Sequence, residues 1–454
     1  MKNTFKLLTL LIAFMMTINS SFAIATNKIE KLINKVPFNK TATIAISIQN
    51  TSNGKMIFEQ NQDKLLHPAS ILKILTAYEA YNILGEDYLF RTQFYKDNND
   101  NLYIKLGADP FLTSAQIKKA FEAFKSANKT KFNNLYIDDS IIDKKEFSQG
   151  VMWNDDFMMY APKVSAYNLD DNLFKINITK EGANKTETKI KSSYPTGLIS
   201  FVQADNKNNG LSIERYNWNN PELIEIYGNI QENTQVLVPI SSMRRYFIHN
   251  IEKAIEDNKV EIQNTSFASK LVPEDATLLI EITNPIKPTL PLILQNSNNL
   301  IAETLFKLAG GKQYSSTGSD ILGTEAFNEF YKKKGLKIND IVICEGSGIS
   351  RYNLISTNWT TNALTQIYKN DDFKTIKEFM AQPGDGKLVN RLHELRGDVW
   401  LKTGSLNKVS SLAGYVNSKD GNTYAVSIIT QNFKEDSKTI KNFEDEIIKL
   451  IYSK

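Results

Sequence analysis

The chain has 454 residues, a formal net charge of +4, three histidines and a single cysteine. This near-neutral balance argues neither for nor against a polyanionic partner, but no concentrated basic stretch with interleaved aromatic residues indicates a nucleic-acid partner. Cys344 alone cannot form an intramolecular disulfide and is best interpreted as a small buried hydrophobic residue, although a nucleophilic role stays open. The histidines have no H-E-x-x-H spacing, so we expect no metal and no other cofactor. A chain of this length is expected to form two or three domains.

Residues 1–23 have the composition of a secretory signal peptide. Lys2 and Lys6 precede a short apolar run over residues 7–16, and small residues follow at the predicted cleavage position, Ala23. The run is too short to span a hydrocarbon core of about 30 Å. We therefore expect export with cleavage and a periplasmic location in a Gram-negative envelope, with peripheral association with the membrane or wall left open.

A predicted β-hairpin precedes the first candidate motif. Residues 42–49 alternate as a strand does, a turn cluster follows, and residues 55–59 form the return strand. The apolar periodicity of residues 71–84 then predicts a helix. Ser70 and Lys73 lie at i and i+3 at its start and share a face, so the lysine can act as the base for a serine nucleophile.

The S-x-x-K pattern is weak by itself, because residues 52–55, 126–129 and 405–408 also match it. The apolar helix after Ser70 favours this copy. A lysine base needs a lowered pKa, which burial and a neighbouring cation such as Lys402 would provide. A serine at a helix N-terminus also offers its backbone N–H to an oxyanion.

The long interval after this helix predicts an insertion. We place it at residues 92–285 and expect a largely β region of two subdomains, because short apolar runs there are separated by Asn, Gly, Lys and Asp. The predicted strands are residues 102–106, 135–138, 174–179, 198–203 and 223–227.

Ser297-Asn298-Asn299 is the second candidate motif, S-x-N, and a helical segment follows it. The Ser297 hydroxyl could relay a proton to a leaving amine, and Asn299 could hold Lys73 and a substrate amide. A helix N-cap is an equally good interpretation of this segment alone.

The C-terminal part of the chain predicts three strands, residues 398–402, 411–416 and 423–429, and an amphipathic helix over residues 437–452. Strands from both ends of the chain, with helices between them, indicate one mixed α/β catalytic domain. We assign to it residues 24–91 and 286–454.

The third motif, Lys402-Thr403-Gly404, lies on the first of these strands. The lysine and threonine can bind a terminal carboxylate, and the glycine allows a substrate backbone to approach closely. Ser405 would present an oxyanion-hole N–H from the strand edge. An ordinary solvent-facing strand end is the alternative. In this order S-x-x-K, S-x-N and K-T-G form the signature of enzymes with an active-site serine that react with penicillin.

The chain resembles the class C low-molecular-mass penicillin-binding proteins, the D-Ala-D-Ala carboxypeptidase and endopeptidase family. The resemblance covers nearly the whole mature chain and includes the long insertion. Beyond the three motifs it rests on five segments: residues 107–110 (GADP), 153–155 (WND), 160–166 (YAPKVSA), 345–351 (EGSGISR) and 412–416 (LAGYV). The chain departs from the family pattern at Asn298, Glu345 and Lys387, where Asp, Asp and Thr are usual.

This resemblance implies a penicillin-binding, serine β-lactamase-like transpeptidase fold, with an antiparallel sheet flanked by helices. It implies that Ser70 attacks the penultimate D-Ala of peptidoglycan stem peptides and cross-links, and that β-lactam antibiotics trap the same serine. By position, Asp155 would bind the ammonium of diaminopimelate and Arg351 its carboxylate. A structural ion pair or a solvated surface is the alternative for both residues.

Three other functions stay open on the residues alone. A serine β-lactamase would need a deacylating glutamate loop, which we cannot assign. A non-catalytic wall-binding or sensor protein would keep the fold without the reaction. An esterase would have no use for the K-T-G motif and the large insertion. The oligomeric state and the balance of carboxypeptidase and endopeptidase activity are not predicted.

Overall fold

The computed structural model describes residues 26–156, 158–161, 163–181, 187–192, 198–202, 212–214, 223–228, 232–370 and 373–454. The predicted signal peptide lies outside these residues. The chain forms two compact units. The first contains the chain up to Glu79, Thr289–Ser297 and Thr324–Lys454, and the second contains Ala80–Pro288 and Asn298–Gly323. The two units are defined by their compactness alone. The assignment of residues 24–91 and 286–454 to a catalytic domain, and of residues 92–285 to an insertion, stays a prediction.

The strands follow in chain order. They are β1 (Thr43–Asn50), β2 (Met56–Gln60), β3 (Leu89–Lys96), β4 (Leu102–Lys105), β5 (Lys131–Asp138), β6 (Leu173–Glu181), β7 (Glu187–Ser192), β8 (Leu198–Val202), β9 (Ser212–Glu214), β10 (Leu223–Tyr227), β11 (Thr234–Pro239), β12 (Glu261–Ser269), β13 (Thr277–Pro285), β14 (Val399–Leu406), β15 (Val409–Asn417) and β16 (Thr423–Gln431).

The α-helices are numbered in the same way. They are α1 (residues 26–35), α2 (Leu72–Leu84), α3 (Ser114–Ser126), α4 (Met243–Asn258), α5 (Thr289–Leu294), α6 (Asn299–Tyr314), α7 (Asp320–Lys333), α8 (Thr357–Lys369), α9 (Phe373–Phe379) and α10 (Ser437–Tyr452). Among the described residues, no helix is both long and apolar enough to cross a membrane.

The first unit is built on an antiparallel sheet of order β14-β15-β16-β1-β2. The two ends of the chain meet in it, because β1 pairs with β16 from Thr43↔Gln431 to Asn50↔Tyr424. Nearly every residue of β1, β15 and β16 is buried, since α8 packs against β1 and β16 and α10 packs against β15. The expectation of one α/β assembly from both termini therefore matches this sheet.

Helix α2 is buried on every side over its first half. The hydroxyl of Tyr331 donates to the carbonyl of Leu75 at 2.8 Å, and the hydroxyl of Thr76 donates to the carbonyl of Gly346 at 2.7 Å. Neither carboxyl oxygen of Glu79 has a hydrogen-bond partner among the described residues, and burial raises the pKa of this carboxyl well above its usual range. A neutral carboxyl avoids the cost of a buried charge, so the helix is held as a rigid apolar element.

The second unit contains a larger mixed sheet of order β12-β5-β4-β3-β13 and two three-stranded sheets, β11-β6-β7 and β8-β10-β9. All five predicted strands of the insertion correspond to strands of these sheets. Helices α3 and α4 were not predicted. Helix α3 begins with a capping box between Thr113 and Gln116, a local signal that was available in the sequence.

Candidate active site

Ser70 lies in a 3-10 turn, Ala69–Ile71, that leads directly into α2. The turn is tied to the sheet, because the Ser411 hydroxyl on β15 donates to the carbonyl of Pro68 at 2.7 Å. Ala69 has a φ of 48°, a conformation that costs energy for a residue with a side chain. The surrounding packing therefore holds the half-buried Ser70 in one position.

Lys73 lies beside this serine and is fully buried. Its Nζ donates to the Ser70 Oγ at 2.9 Å and to the backbone carbonyl of Ser347 at 2.5 Å. The predicted pair on one helix face is thus in hydrogen-bond contact. A lysine amine at this distance can accept the serine proton when it is neutral.

Lys402 and Ser297 form a second pair in the same unit. The Lys402 Nζ donates to the Ser297 Oγ at 2.9 Å and to the carbonyl of Thr403 at 2.7 Å. Burial, the charge of Lys73 and the charge of Lys387 hold the pKa of the Lys402 ammonium well below its usual range. Lys402 is thus within electrostatic reach of Lys73, and its role as the cation that lowers the pKa of Lys73 stays a prediction.

The K-T-G segment lies on β14, which is the edge strand of the sheet and pairs with β15 on its inner side. A Cβ built on Gly404 would lie 2.2 Å from the Ser411 Oγ and 2.8 Å from the Ser70 backbone nitrogen. Only a glycine permits this approach, which brings the Ser70 N–H to the strand edge next to the exposed Ser405. The N–H groups of Ser70 and Ser405 are thus candidates for an oxyanion hole.

Glu345 organises the loop that holds Lys73, a role that the sequence analysis did not assign. Its buried carboxylate accepts hydrogen bonds from the backbone N–H of Ser347 at 2.8 Å and of Gly348 at 2.6 Å, from the Ser347 hydroxyl and from the Asn353 amide. The signal in the sequence was an acidic residue followed by a Gly-Ser-Gly turn, because such turns present N–H groups to one anion.

The same loop is packed against the nucleophile. Gly348 has a φ of 83°, and a Cβ on it would lie 2.0 Å from the carbonyl oxygen of Ala69. Arg351 ends the loop, is partly exposed and forms no ion pair with another described residue. A structural ion pair, the alternative interpretation of Arg351, therefore has no partner in the part of the chain that the structure describes.

Asp155 and Asn299 lie in the second unit. The Asp155 carboxylate accepts hydrogen bonds from the Tyr160 hydroxyl at 2.6 Å and from the Met152 N–H at 3.2 Å, and it keeps part of its surface exposed. The Asn299 side-chain amide donates to the carbonyl of Tyr160 at 2.5 Å. These two predicted residues are therefore linked through Tyr160. The proposed contact of Asn299 with Lys73 stays a prediction.

The helix N-cap interpretation of the second motif applies to its middle residue. The Asn298 side chain accepts a hydrogen bond from the Ile301 N–H at 2.9 Å and caps α6. Asn298 is one of the departures from the family pattern, and asparagine caps helices as well as aspartate does. Within the described ranges, no group of three or more His, Cys, Asp or Glu residues could hold a metal ion.

Comparison with known proteins identifies the family. A sequence model of the D-Ala-D-Ala carboxypeptidase 3 (S13) family matches residues 25–452. The chain belongs to this family. It is 23% identical over 445 residues to the D-alanyl-D-alanine carboxypeptidase DacB of Haemophilus influenzae, covering 94% of this chain and 92% of that protein.

Solved structures show the same fold. The crystal structure of penicillin-binding protein 4 from Haemophilus influenzae superposes with a TM-score of 0.84 at 22% identity, covering 94% of this chain and 99% of that one. A structure of the same protein complexed with a β-lactam gives a TM-score of 0.79 with the same identity and coverage. The predicted family, fold class and enzyme class, a serine-type D-Ala-D-Ala carboxypeptidase of the penicillin-binding type, are confirmed.

Proposed function

We propose that the protein hydrolyses D-Ala-D-Ala bonds of peptidoglycan stem peptides, and the peptide bonds of cross-links, through an acyl-enzyme on Ser70. The contact that carries this proposal is the one between the Lys73 Nζ and the Ser70 Oγ, at 2.9 Å on a buried helix. The three motifs and the family supply the substrate class. β-Lactam antibiotics would acylate the same serine.

Each reacting group has a task in this reaction. Neutral Lys73 takes the proton of Ser70, and the oxygen attacks the carbonyl of the penultimate D-Ala. The N–H groups of Ser70 and Ser405 stabilise the oxyanion. The Ser297 hydroxyl, held by Lys402, passes a proton to the leaving amine, and water then hydrolyses the ester. Two buried lysines whose charges act on each other cannot both be protonated cheaply, so one of them is neutral. The proposed mechanism requires the neutral one to be Lys73.

The third stem-peptide residue would be recognised by Asp155 and Arg351. A partly exposed carboxylate already ordered by Tyr160 can accept the ammonium of diaminopimelate without reorganising. The guanidinium of Arg351 suits the carboxylate of the same residue.

We expect Asp155→Ala to slow the cleavage of diaminopimelate peptides about tenfold, because the loss of a charge pair worth ~1.4 kcal/mol corresponds to a tenfold change. Acylation by a simple penicillin should change less than about twofold, since penicillin has no such ammonium. Steady-state kinetics on both substrates measure the difference, with Asp87→Ala, an exposed aspartate of the same unit, as the control. Equal losses on both substrates would contradict this role.

Export to the periplasm remains part of the proposal. It is supported by the composition of residues 1–23 and by a substrate that lies outside the cytoplasmic membrane. N-terminal sequencing of the protein recovered from a periplasmic fraction tests it. A mature chain beginning just after Ala23 is expected, and an intact Met1 in that fraction would argue against cleavage.

Mass spectrometry of purified muropeptides tests the function. Pentapeptide monomers and cross-linked dimers are incubated with the mature protein, with and without prior penicillin treatment. Loss of one D-Ala, or splitting of dimers, that penicillin prevents is the expected result and shows which bond is preferred. Binding of muropeptides with no turnover would favour a non-catalytic wall-binding protein. Rapid turnover of penicillin itself, with an adduct lasting only seconds, would favour a β-lactamase.

A further inference from the structure

The loop before β14 places a third lysine next to the K-T-G segment. Ala381 pairs with Leu401 at the edge of β14, and the Leu401 N–H donates to the Ala381 carbonyl at 2.9 Å. Further along the loop, the Lys387 N–H donates to the carbonyl of Gln295 at 3.1 Å. Gln295 is two residues before Ser297. The backbone of Lys387 is therefore fixed on the segment that carries the hydroxyl bound by Lys402.

The loop is tightly packed at this point. A Cβ on Gly386 would lie 2.4 Å from the Gln295 carbonyl oxygen, and the Gly386 φ of 45° suits glycine best. Arg396 donates to the carbonyl of Pro383 and pairs with Asp385 at 3.0 Å. The turn is thus rigid on both sides of Lys387, while the Lys387 side chain itself is exposed.

The Lys387 ammonium has no compensating anion in the part of the chain that the structure describes. It forms no ion pair there, and the carboxylate nearest in sequence, Asp385, is engaged by Arg396. Its charge acts on Lys402, because the pKa of Lys402 is lowered first by burial, then by the charge of Lys73 and then by the charge of Lys387. A lysine ammonium near the K-T-G segment without a compensating anion creates a positive potential that favours an anionic ligand.

We propose that Lys387 and Lys402 together form a two-cation site for the free α-carboxylate of the leaving residue, and that Lys387 makes the enzyme prefer such substrates over amidated ones. This inference rests on the proposed function, because it concerns the residue released when Ser70 is acylated. It adds a specificity residue to the K-T-G segment. A terminal D-Ala has this free carboxylate. The residue released from a cross-link also has it when that residue is not amidated.

An exposed lysine is usually a solvated surface group with no effect on an active site. Three observations distinguish Lys387 from that case. Its backbone N–H is hydrogen-bonded to the segment that contains Ser297. Its turn is held by the packing of Gly386 against Gln295 and by the contacts of Arg396. Its charge is one of the causes that lower the pKa of Lys402. A solvated surface lysine such as Lys332, in the last turn of α7, shares its exposure and none of these connections.

The test compares matched substrates. Steady-state kinetics are measured for an acyl-D-Ala-D-Ala peptide and for its C-terminal amide, with the parent enzyme, Lys387→Met, Lys387→Arg and the control Lys332→Met. We expect Lys387→Met to lower kcat/KM for the carboxylate substrate about threefold to tenfold, as one partly screened charge contact would. The amide should change less than about twofold. Lys387→Arg and Lys332→Met should resemble the parent.

The rates of acylation by benzylpenicillin and by its methyl ester give an independent measure of carboxylate recognition. This measure does not require peptide turnover. The preference for the free acid should fall in Lys387→Met by the same factor. Raising the salt concentration should weaken the preference of the parent more than that of the variant. Loss of a neighbouring positive charge should raise the pKa of Lys402, so the limb of the acylation pH profile that belongs to Lys402 should move to higher pH.

The outcomes separate the two proposals. If the parent enzyme reacts and Lys387→Met changes carboxylate and amide substrates equally, the role of Lys387 is overturned while the proposed function stands. A parent enzyme that neither hydrolyses peptides nor is acylated overturns both. The two-cation site is supported if Lys387→Met has a lower preference for the carboxylate substrate and Lys387→Arg keeps the preference of the parent.

Discussion

Replacing Ser70 with alanine should abolish both the covalent penicillin adduct and the release of D-Ala. The change removes the hydroxyl oxygen that the Lys73 amine contacts at 2.9 Å. Removing a catalytic serine of this kind typically costs about 10⁴-fold to 10⁶-fold in rate. The adduct is measured by mass spectrometry of the intact protein after incubation with penicillin, and D-Ala release is measured in parallel.

The chain offers a matched control for this prediction. Ser52 begins another S-x-x-K pattern, Ser52 to Lys55, which lies in the exposed turn between β1 and β2. Ser52→Ala should therefore keep the full adduct and the full rate. Because Ser70 is half-buried and alanine fits its place, thermal unfolding of Ser70→Ala should shift by only a few degrees. A Ser70→Ala protein that still forms a stoichiometric adduct would show that another residue is the nucleophile.

Replacing Glu345 with alanine should have the second-largest effect, although Glu345 touches no substrate. Its carboxylate accepts hydrogen bonds from three backbone N–H groups and from two side chains of its own loop. Without it, several buried donors lose their partner, which should lower the free energy of unfolding by about 3 kcal/mol or more. The same loop presents the Ser347 carbonyl to the Lys73 Nζ. We therefore expect penicillin acylation to slow about 100-fold or more, since misplacing a catalytic group costs this much.

Glu345→Asp is the matched variant for a positioning role. Aspartate keeps the charge at the position where the family pattern has it, so acylation should stay within about tenfold of the parent. The measurement is the acylation rate as a function of pH, together with thermal unfolding. In Glu345→Ala the pH profile should change shape, because the environment of Lys73 changes, whereas a purely structural role would lower the amount of folded enzyme and leave the profile unchanged. An unchanged profile in Glu345→Ala would contradict positioning of Lys73 by this loop.

Several features could be read from local sequence alone. The strands β1, β2, β15 and β16 and the helices α2 and α10 were predicted within a few residues, because each has an apolar period that matches its own geometry. The three motifs were found by their order in the chain, which reflects chemistry that needs those side chains. Family, fold class and enzyme class followed from these motifs and from the resemblance that they support.

Other features were decided only by tertiary structure. The contact of Lys73 with the Ser347 carbonyl joins residues 274 positions apart, and that of Lys402 with Ser297 joins residues 105 positions apart. No local period encodes such a pair, because it depends on how helices pack on the sheet. The same is true of Gly404, which must lack a side chain because Ser70 approaches it closely, and of the backbone contact between Lys387 and Gln295.

The sequence by itself determined which candidate groups are available for the reaction: a serine, two lysines, a second hydroxyl and a glycine-bearing strand. Local propensity and side-chain chemistry depend on neighbouring residues, so they can be predicted from the sequence. Tertiary structure decided their state. Burial and the proximity of other charges lower the pKa of Lys402, and the Glu345 loop aims a carbonyl at Lys73. Electrostatic and hydrogen-bond energies depend on distances in three dimensions, which a linear pattern does not contain.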